Sequence, residues 1–188
     1  LMVIGSIAGM AKQSMGELAF LAVAILAVGN AAGRIVAGIL SDRIGRTLTL
    51  SLMLMFQAVL MFIAIPVVSA QPSSALLVVL IATGIGFNYG TNLALFPAIT
   101  KDNWGLKNFG VNYGLLMTAW GMGGFVLGRA SEMMKAATGN FVMSFGVAGT
   151  LLAIAAVLML VKDLINQMVQ ARVKAELARL AEEAALAA

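Results

Sequence analysis

The chain alternates between long apolar runs and short polar connections. Five runs have about 20 residues, the length that an α-helix needs to cross about 30 Å of hydrocarbon. They are Leu18–Leu40, Thr47–Val68, Ala75–Ile99, Phe109–Leu127 and Phe141–Val161. A sixth stretch, Leu1–Ala11, is too short to cross alone and is expected to be the outer end of a helix whose beginning is missing. The pattern predicts an all-α membrane protein with an incomplete first helix.

Composition supports this prediction. Hydrophobic residues make up 61% of the 188 residues and charged residues 11%, whereas a soluble domain would be about a quarter charged. Lipid is therefore expected to cover much of the surface. Basic residues are scattered among the connections, so no nucleic-acid partner is predicted. With no His, no Cys and acids only in connections or tail, the spans offer no general base or metal site, and neither enzymatic activity nor a cofactor is predicted.

The basic residues are divided unequally between the two sides of the membrane. Alternate connections share a side, and one side carries eight basic residues: Arg43, Arg46, Lys101, Lys107, Lys162, Arg172, Lys174 and Arg179. The other carries three: Lys12, Arg129 and Lys135. By the positive-inside rule, the first side and the C-terminus are cytoplasmic. We therefore expect a multi-pass protein of the plasma (bacterial inner) membrane.

Composition changes near residue 162. Residues 1–162 are expected to form a transmembrane bundle. Residues 163–188 are rich in Ala, Leu, Glu and Arg and predict a cytoplasmic helical tail. Four tail residues form a weak apolar stripe: Leu164, Met168, Leu177 and Leu180. The stripe is consistent with a partner-binding helix, although a solvated tail without a specific role is the simpler interpretation.

The spans also differ in polarity. Thr47–Val68, with Gln57 as its notable polar group, and Phe141–Val161 are expected to contact lipid along most of their surface. The spans from Ala75 and from Phe109 mix Gly, Asn, Tyr, Trp and Thr, whose polar groups need partners in protein or water. Glycines four residues apart predict close helix packing. These pairs are Gly5–Gly9, Gly29–Gly33, Gly86–Gly90, Gly110–Gly114 and Gly124–Gly128.

One arginine lies inside a span. Arg34 is about 12 Å of helix from the polar connection at Asp42, so it either snorkels to the interface or faces a cavity. Side chains tilt toward the helix N-terminus, away from the nearer water, which disfavours snorkelling. No acid lies within a span to neutralise it. Asn30, one turn earlier, can donate to a second oxygen, and a guanidinium matches a carboxylate bidentately. The prediction is a site for a carboxylate anion.

Aromatic and amide residues of two later spans are candidates for the wall of this site. Asn88 and Tyr89 belong to the span from Ala75. Tyr113 and Trp120, seven residues apart, share one face of the next span. Such residues can select an anion by size, but core packing explains each of them about as well.

The connection after the first full span carries a motif. "GILSDRIGRTLTL" resembles the G-x-L-a-D-r-x-G-r-k-x-x-l motif of the major facilitator superfamily, with Thr47 where a basic residue is common. The matching residues are Gly38, Leu40, Asp42, Arg43, Gly45, Arg46 and Leu50. The resemblance implies that the aspartate caps the next helix or pairs with an arginine across a helix gap. The motif would then lock one conformation and later release it.

The position of the motif implies which half of that fold is present. The stub and the span that ends in the motif come first, and four spans and a tail follow. This order resembles spans seven (partial) to twelve of that fold, a C-terminal six-helix bundle. The six-helix N-terminal half would be its missing partner. "FNYGTNLALFPAITKDNWGLKNFGVNYGLLMTAWGMGG" is similar to the oxalate/formate antiporter family, which includes monocarboxylate porters. In that family the arginine that matches Arg34 contacts the carboxylate substrate.

Two departures from that family bear on the substrate. Oxalate carriers place a lysine where this chain has Trp120, and without it a second buried carboxylate would be uncompensated. Related monocarboxylate transporters often have Asp where this chain has Asn30, which puts proton shuttling there in doubt. The resemblance implies a secondary carrier of a monocarboxylate such as formate, lactate or pyruvate. The alternatives are oxalate/formate antiport, a truncated transport-inactive membrane module and a half-size protein that dimerises.

Overall fold

The computed structural model describes residues 19–69 and 74–186, which form five helices. In chain order they are α1 Ala19–Ile44, α2 Arg46–Ser69, α3 Ala75–Trp104, α4 Phe109–Thr138 and α5 Val142–Leu186. Each covers one predicted span, with α4 and α5 continuing well beyond it, and the described residues contain no strand, so the prediction of an all-α membrane fold is confirmed. The stub Leu1–Ala11 and the pair Gly5–Gly9 lie outside the described residues.

Glycines with positive φ end three of the helices. Gly45 alone separates α1 from α2 at a φ of 90°, Gly105 follows α3 at 69° and Gly139 follows α4 at 76°. Side chains strain such a backbone, so glycine is the residue that permits these turns. At the first of them, the Gly45 N–H donates to the Ser41 oxygen at 3.1 Å, and the Gly45 oxygen accepts from the Thr49 N–H at 3.2 Å. Helices α1 and α2 therefore form a hairpin with a one-residue turn.

The helices pack as two pairs. Helix α1 packs mainly on α3, helix α2 packs mainly on α5, and contacts between α2 and α3 join the pairs. Buried apolar residues fill the junction of these four helices: Leu26, Met61, Ala64, Ala82, Ile85 and Phe145. A smaller cluster joins Ala37 of α1, Leu50 near the start of α2 and Leu95 of α3. Large apolar side chains remain exposed on every helix, as expected for a bundle that is solvated by lipid.

Helices α1 and α3 contact each other backbone to backbone. The contact uses Gly29 and Gly33 of α1 and Gly86 and Gly90 of α3. A β-carbon added at any of the four would lie within 2.7 Å of a backbone oxygen of the other helix, closer than real β-carbons approach. The side chain of Thr91 donates across the same contact to the Gly33 oxygen at 3.3 Å. Close packing is therefore confirmed for these two glycine pairs.

Helix α4 is the least embedded of the described helices. It contacts α3 and α5 sparsely, and Ser131 is its one buried residue. Within the described residues, nothing lies within 4 Å of a β-carbon added at Gly110, Gly114 or Gly128, so these three glycines do not form the predicted close packing there. The other four described helices are long and apolar enough to cross a membrane. Helix α4 has the length, but its Asn, Tyr, Trp, Thr and Gly residues make it less apolar.

Helix α5 continues from the last predicted span into the predicted tail. Its 45 residues contain no break near residue 162, so the division between bundle and tail stays a prediction. The apolar stripe of the tail is exposed, with Leu164 57% and Leu177 61% accessible. Among the described residues, this part of α5 has no packing partner.

Candidate functional site

Arg34 lies inside the predicted span Leu18–Leu40, in the part of α1 that is apolar enough to cross a membrane. About 12 Å of helix separates it from Asp42 at the polar connection. Its side chain tilts toward the opposite end of the helix, which disfavours snorkelling as the explanation for an arginine here. Its side chain is exposed on the surface of the described bundle. The other described residues therefore leave much of this side chain uncovered.

Asn30 orients the guanidinium from one turn earlier. The Arg34 Nε donates to the Asn30 Oδ1 at 3.1 Å. This contact leaves the Nη1 and Nη2 groups of Arg34 and the Nδ2 of Asn30 as donors. The backbone oxygen of Asn30 lies against Gly90, so the close helix contact with α3 fixes its position. Two Nη groups of one guanidinium can donate to both oxygens of a carboxylate.

Arg34 has no carboxylate partner in the described part of the chain. The ion pairs found there join Arg46 to Asp42 and to Asp102, and Arg179 to Glu183. All of them lie at helix ends or in the predicted tail. A charge in the middle of a span is costly unless it is compensated. The site around Arg34 and Asn30 therefore favours a bound anion.

The structure brings two of the four other predicted site residues together. The rings of Tyr89 and Trp120 have centroids 6.4 Å apart and are tilted by 34°. Asn88 faces a different helix, since it is buried and its Nδ2 donates to the Met53 backbone oxygen of α2. Its geometry is that of a packing contact between helices.

Tyr113 and Trp120 lie apart from the arginine. Tyr113 stacks on Phe109 of its own helix with centroids 5.5 Å apart. Among the described residues, α4 makes no contact with α1. Neither aromatic residue of α4 is therefore placed against Arg34 in this half of the fold.

Tyr89 and Trp120 line a cavity of about 440 Å³ between α2, α3, α4 and α5. Four other polar residues share this lining: Gln57, Asn92, Ser131 and Ser144. Gln57 was expected on a helix that contacts lipid, and the structure turns it into the cavity instead. The sequence carried one signal for this, because Gln57 is the notable polar group of an otherwise apolar span. Ser131 gave no such signal.

The motif residues meet at the α1–α2 turn. Arg46 donates from Nε to the Asp102 Oδ2 at 2.6 Å and from Nη1 to the Ser41 Oγ at 2.9 Å, and its Nη2 lies 3.1 Å from the Asp42 Oδ1. Ser41 in turn donates to the Gly38 oxygen at 2.9 Å. One guanidinium thus joins the ends of α1 and α3 to the start of α2.

Two features of the motif differ from simple sequence expectation. The aspartate that pairs with Arg46 from another helix is Asp102 of α3, which the sequence had not singled out. Asp42 pairs with the same arginine from four residues earlier. Arg43 is exposed, and none of the described ion pairs includes it. Arg46 is therefore the centre of the motif in this conformation.

We expect Asp102→Asn to weaken the attachment of α3 to the α1–α2 turn. The side chains of Arg46 and Asp102 are 30% and 50% exposed, so the coupling should be about 0.5–1 kcal/mol and should fall with added salt. A double-mutant cycle with Arg46→Gln, followed by thermal unfolding in detergent, measures it. Breaking the Arg179–Glu183 pair of the predicted tail is the matched control and should leave bundle stability unchanged. A coupling energy of zero at low salt would contradict the ion pair between Arg46 and Asp102.

Comparison with known proteins identifies the relatives of this chain. The family profile described as Major Facilitator Superfamily matches residues 2–184. An Escherichia coli (strain K12) protein named "Uncharacterized MFS-type transporter YhjX" is 29% identical over 122 residues, which cover 61% of this chain and 29% of the relative. The matched part is thus less than a third of that relative. Both matches point to transport rather than to enzymatic catalysis.

Proposed function

Because the chain belongs to the Major Facilitator Superfamily, we propose that it forms the C-terminal half of a secondary transporter for small carboxylates, with Arg34 and Asn30 as the anion-binding pair. Its preferred substrates are monocarboxylates such as formate, lactate or pyruvate. The oxalate/formate antiporter family is the branch to which we assign it. The plasma membrane of a bacterium, with the C-terminus in the cytoplasm, is the proposed location.

The observation that carries this proposal is the state of Arg34. It lies inside a predicted span, it has no carboxylate partner in the described residues, and its Nε donates to Asn30. Its two Nη groups make no hydrogen bond within the described residues and can donate to both oxygens of one carboxylate. The bound anion would supply the missing negative charge, so that binding relieves the cost of the buried cation. A neutral substrate would leave that cost in place.

The transport step follows from where the site lies. The anion would bind near the middle of the membrane between this half and the N-terminal half, and rocking of one half against the other would expose it to each side in turn. The cluster around Arg46 would hold one of the two conformations at the end of the bundle. The aromatic residues predicted at the site are not part of this proposal, because Tyr89 and Trp120 line a cavity that does not include Arg34 and Tyr113 stacks on Phe109.

The charge at the site supports a monocarboxylate over a dicarboxylate. Among the described residues, Arg34 is the one basic residue inside a predicted span, and the resemblance to oxalate carriers implies that Trp120 stands where they have a lysine. A second carboxylate of oxalate would therefore be desolvated without a cation beside it. Oxalate exchange stays the alternative function.

Counterflow in proteoliposomes tests the substrate. The full-length protein is reconstituted, vesicles are loaded with unlabelled lactate, and uptake of labelled lactate is measured against external formate, pyruvate or oxalate. We expect each monocarboxylate to compete and oxalate to compete several times less. Stronger competition by oxalate would favour the oxalate/formate alternative. No uptake with any carboxylate would favour a transport-inactive module and would contradict the proposal.

A further inference from the structure

The cavity between α2, α3, α4 and α5 differs in chemistry from the site at Arg34. No charged side chain lines it, and its wall is mainly apolar, with the Tyr89–Trp120 pair on one side. Its volume of about 440 Å³ is in the range of small-molecule sites. Arg34 is not among its lining residues, and α1 does not contact α4 in the described part of the chain. The cavity is therefore a separate place in the fold.

The polar atoms left unsatisfied at this cavity are all able to accept hydrogen bonds. They are the Gln57 Oε1, the Asn92 Oδ1 and the Ser131 Oγ, contributed by three different helices. Each oxygen is buried and has no hydrogen-bond partner among the described residues. Ser131 as a whole is only 2% exposed. Buried polar atoms without partners are uncommon in folded proteins. The two amide oxygens lack donors, whereas the Ser131 hydroxyl can accept or donate.

We propose that this cavity is a binding site for an uncharged ligand that carries N–H or O–H donors on an apolar body. The donors would satisfy the orphan oxygens of Gln57, Asn92 and Ser131. The apolar body would lie against the tilted rings of Tyr89 and Trp120 and the aliphatic wall. The site is independent of the anion site proposed at Arg34.

The same atoms argue against a carboxylate in the cavity. A carboxylate has only acceptors, so it could form no hydrogen bond with the amide oxygens of Gln57 and Asn92, and only the Ser131 hydroxyl could donate to it. It would also bring a negative charge into a space without a cation. Selectivity between an amide and the carboxylate of the same shape is therefore the expected signature of this cavity.

Three compounds of similar shape separate these possibilities. Benzamide carries two N–H donors, N,N-dimethylbenzamide keeps the carbonyl but has none, and benzoate replaces the donors by a negative charge. Equilibrium dialysis against the full-length protein in detergent measures their binding. We expect saturable benzamide binding and at least about tenfold weaker binding of the other two compounds at the cavity, because each leaves buried acceptors unpaired.

Substitutions on α4 locate the binding. Gly128 lines the cavity and has open space where a β-carbon would be, so Gly128→Leu should fill the cavity and abolish benzamide binding. Gly121→Leu is the matched control, because Gly121 also has open space, lies on the same helix and does not line the cavity. Gln57→Leu should weaken binding of benzamide without filling the space. Arg34→Gln should leave benzamide binding unchanged.

The outcomes are distinct. Loss of benzamide binding in Gly128→Leu with retention in Gly121→Leu and Arg34→Gln supports the proposal. Absence of saturable binding, or binding that Gly128→Leu and Gln57→Leu both leave intact, overturns it and means that water alone satisfies these oxygens. Dependence on Arg34 also overturns it, since the compound would then occupy the anion site. If the protein binds benzamide as expected but does not transport carboxylates, only the proposed function is refuted.

Discussion

Replacing Arg34 by glutamine is expected to lower the kcat/KM of carboxylate transport at least about a hundredfold, because it removes the charged partner of a desolvated anion. The protein should still fold, since the Arg34 side chain is exposed in the described bundle and contacts only Asn30 among the hydrogen bonds found there. Arg34→Lys keeps the charge but loses the bidentate geometry, so its transport rate should lie between those of the unchanged protein and Arg34→Gln. Initial rates in proteoliposomes with equal amounts of inserted protein measure the effect.

Arg129→Gln is the matched control for this prediction. Arg129 is an exposed arginine of α4, and no ion pair of the described residues involves it. Its replacement removes one positive charge from the chain without touching the middle of a span, so transport should stay close to that of the unchanged protein. If Arg34→Gln and Arg129→Gln transport equally well, Arg34 does not bind the substrate and the proposed function loses its main support.

Replacing Gly33 by alanine is expected to destabilise the bundle by on the order of 3 kcal/mol, because the added methyl would overlap the backbone of Phe87 and force α1 away from α3. Gly90→Ala tests the same contact from the other helix, where the methyl would overlap the Asn30 oxygen. Thermal unfolding in detergent, followed by circular dichroism, gives the difference in stability. Size-exclusion profiles show whether the variant remains a single folded species.

Gly38→Ala is the matched control for the glycine contact. Gly38 lies on the same helix as Gly33, and nothing lies within 4 Å of a β-carbon added there. Alanine at this position should be neutral or should stabilise by roughly 0.5–1 kcal/mol through its better helix propensity. Equal stability of Gly33→Ala and Gly38→Ala would show that α1 and α3 do not approach each other as closely as described.

The helices and their order could be predicted because each span is a long apolar run between short polar connections. The close contact of α1 and α3 also followed from Gly29–Gly33 and Gly86–Gly90, since spaced glycines make a helix surface that fits another helix. The same reasoning did not extend to α4, whose glycines at 110, 114 and 128 face open space among the described residues. The spacing of residues shows which of them share a face of a helix, but not which neighbouring helix packs against that face.

The candidate site was predictable where its residues lie on one helix. The isolated charge of Arg34 and the nearby amide of Asn30 lie on one helix, so their contact follows from a four-residue spacing. Contacts between helices depend on how far each helix is rotated about its axis, which a single sequence does not fix. For this reason a single sequence does not predict that Asn88 contacts Met53 or that Arg46 pairs with Asp102, 56 residues away.

The unbroken length of α5 makes it a lever. Its 45 residues extend about 68 Å, and roughly half of that exceeds the thickness of the hydrocarbon. If α5 moves as one rigid helix, a change of about 10° in the tilt of its membrane span displaces a residue about 35 Å along the helix by about 6 Å. A spin label or fluorophore near the end of α5 would therefore register small reorientations of the whole half that a label inside the bundle would barely sense.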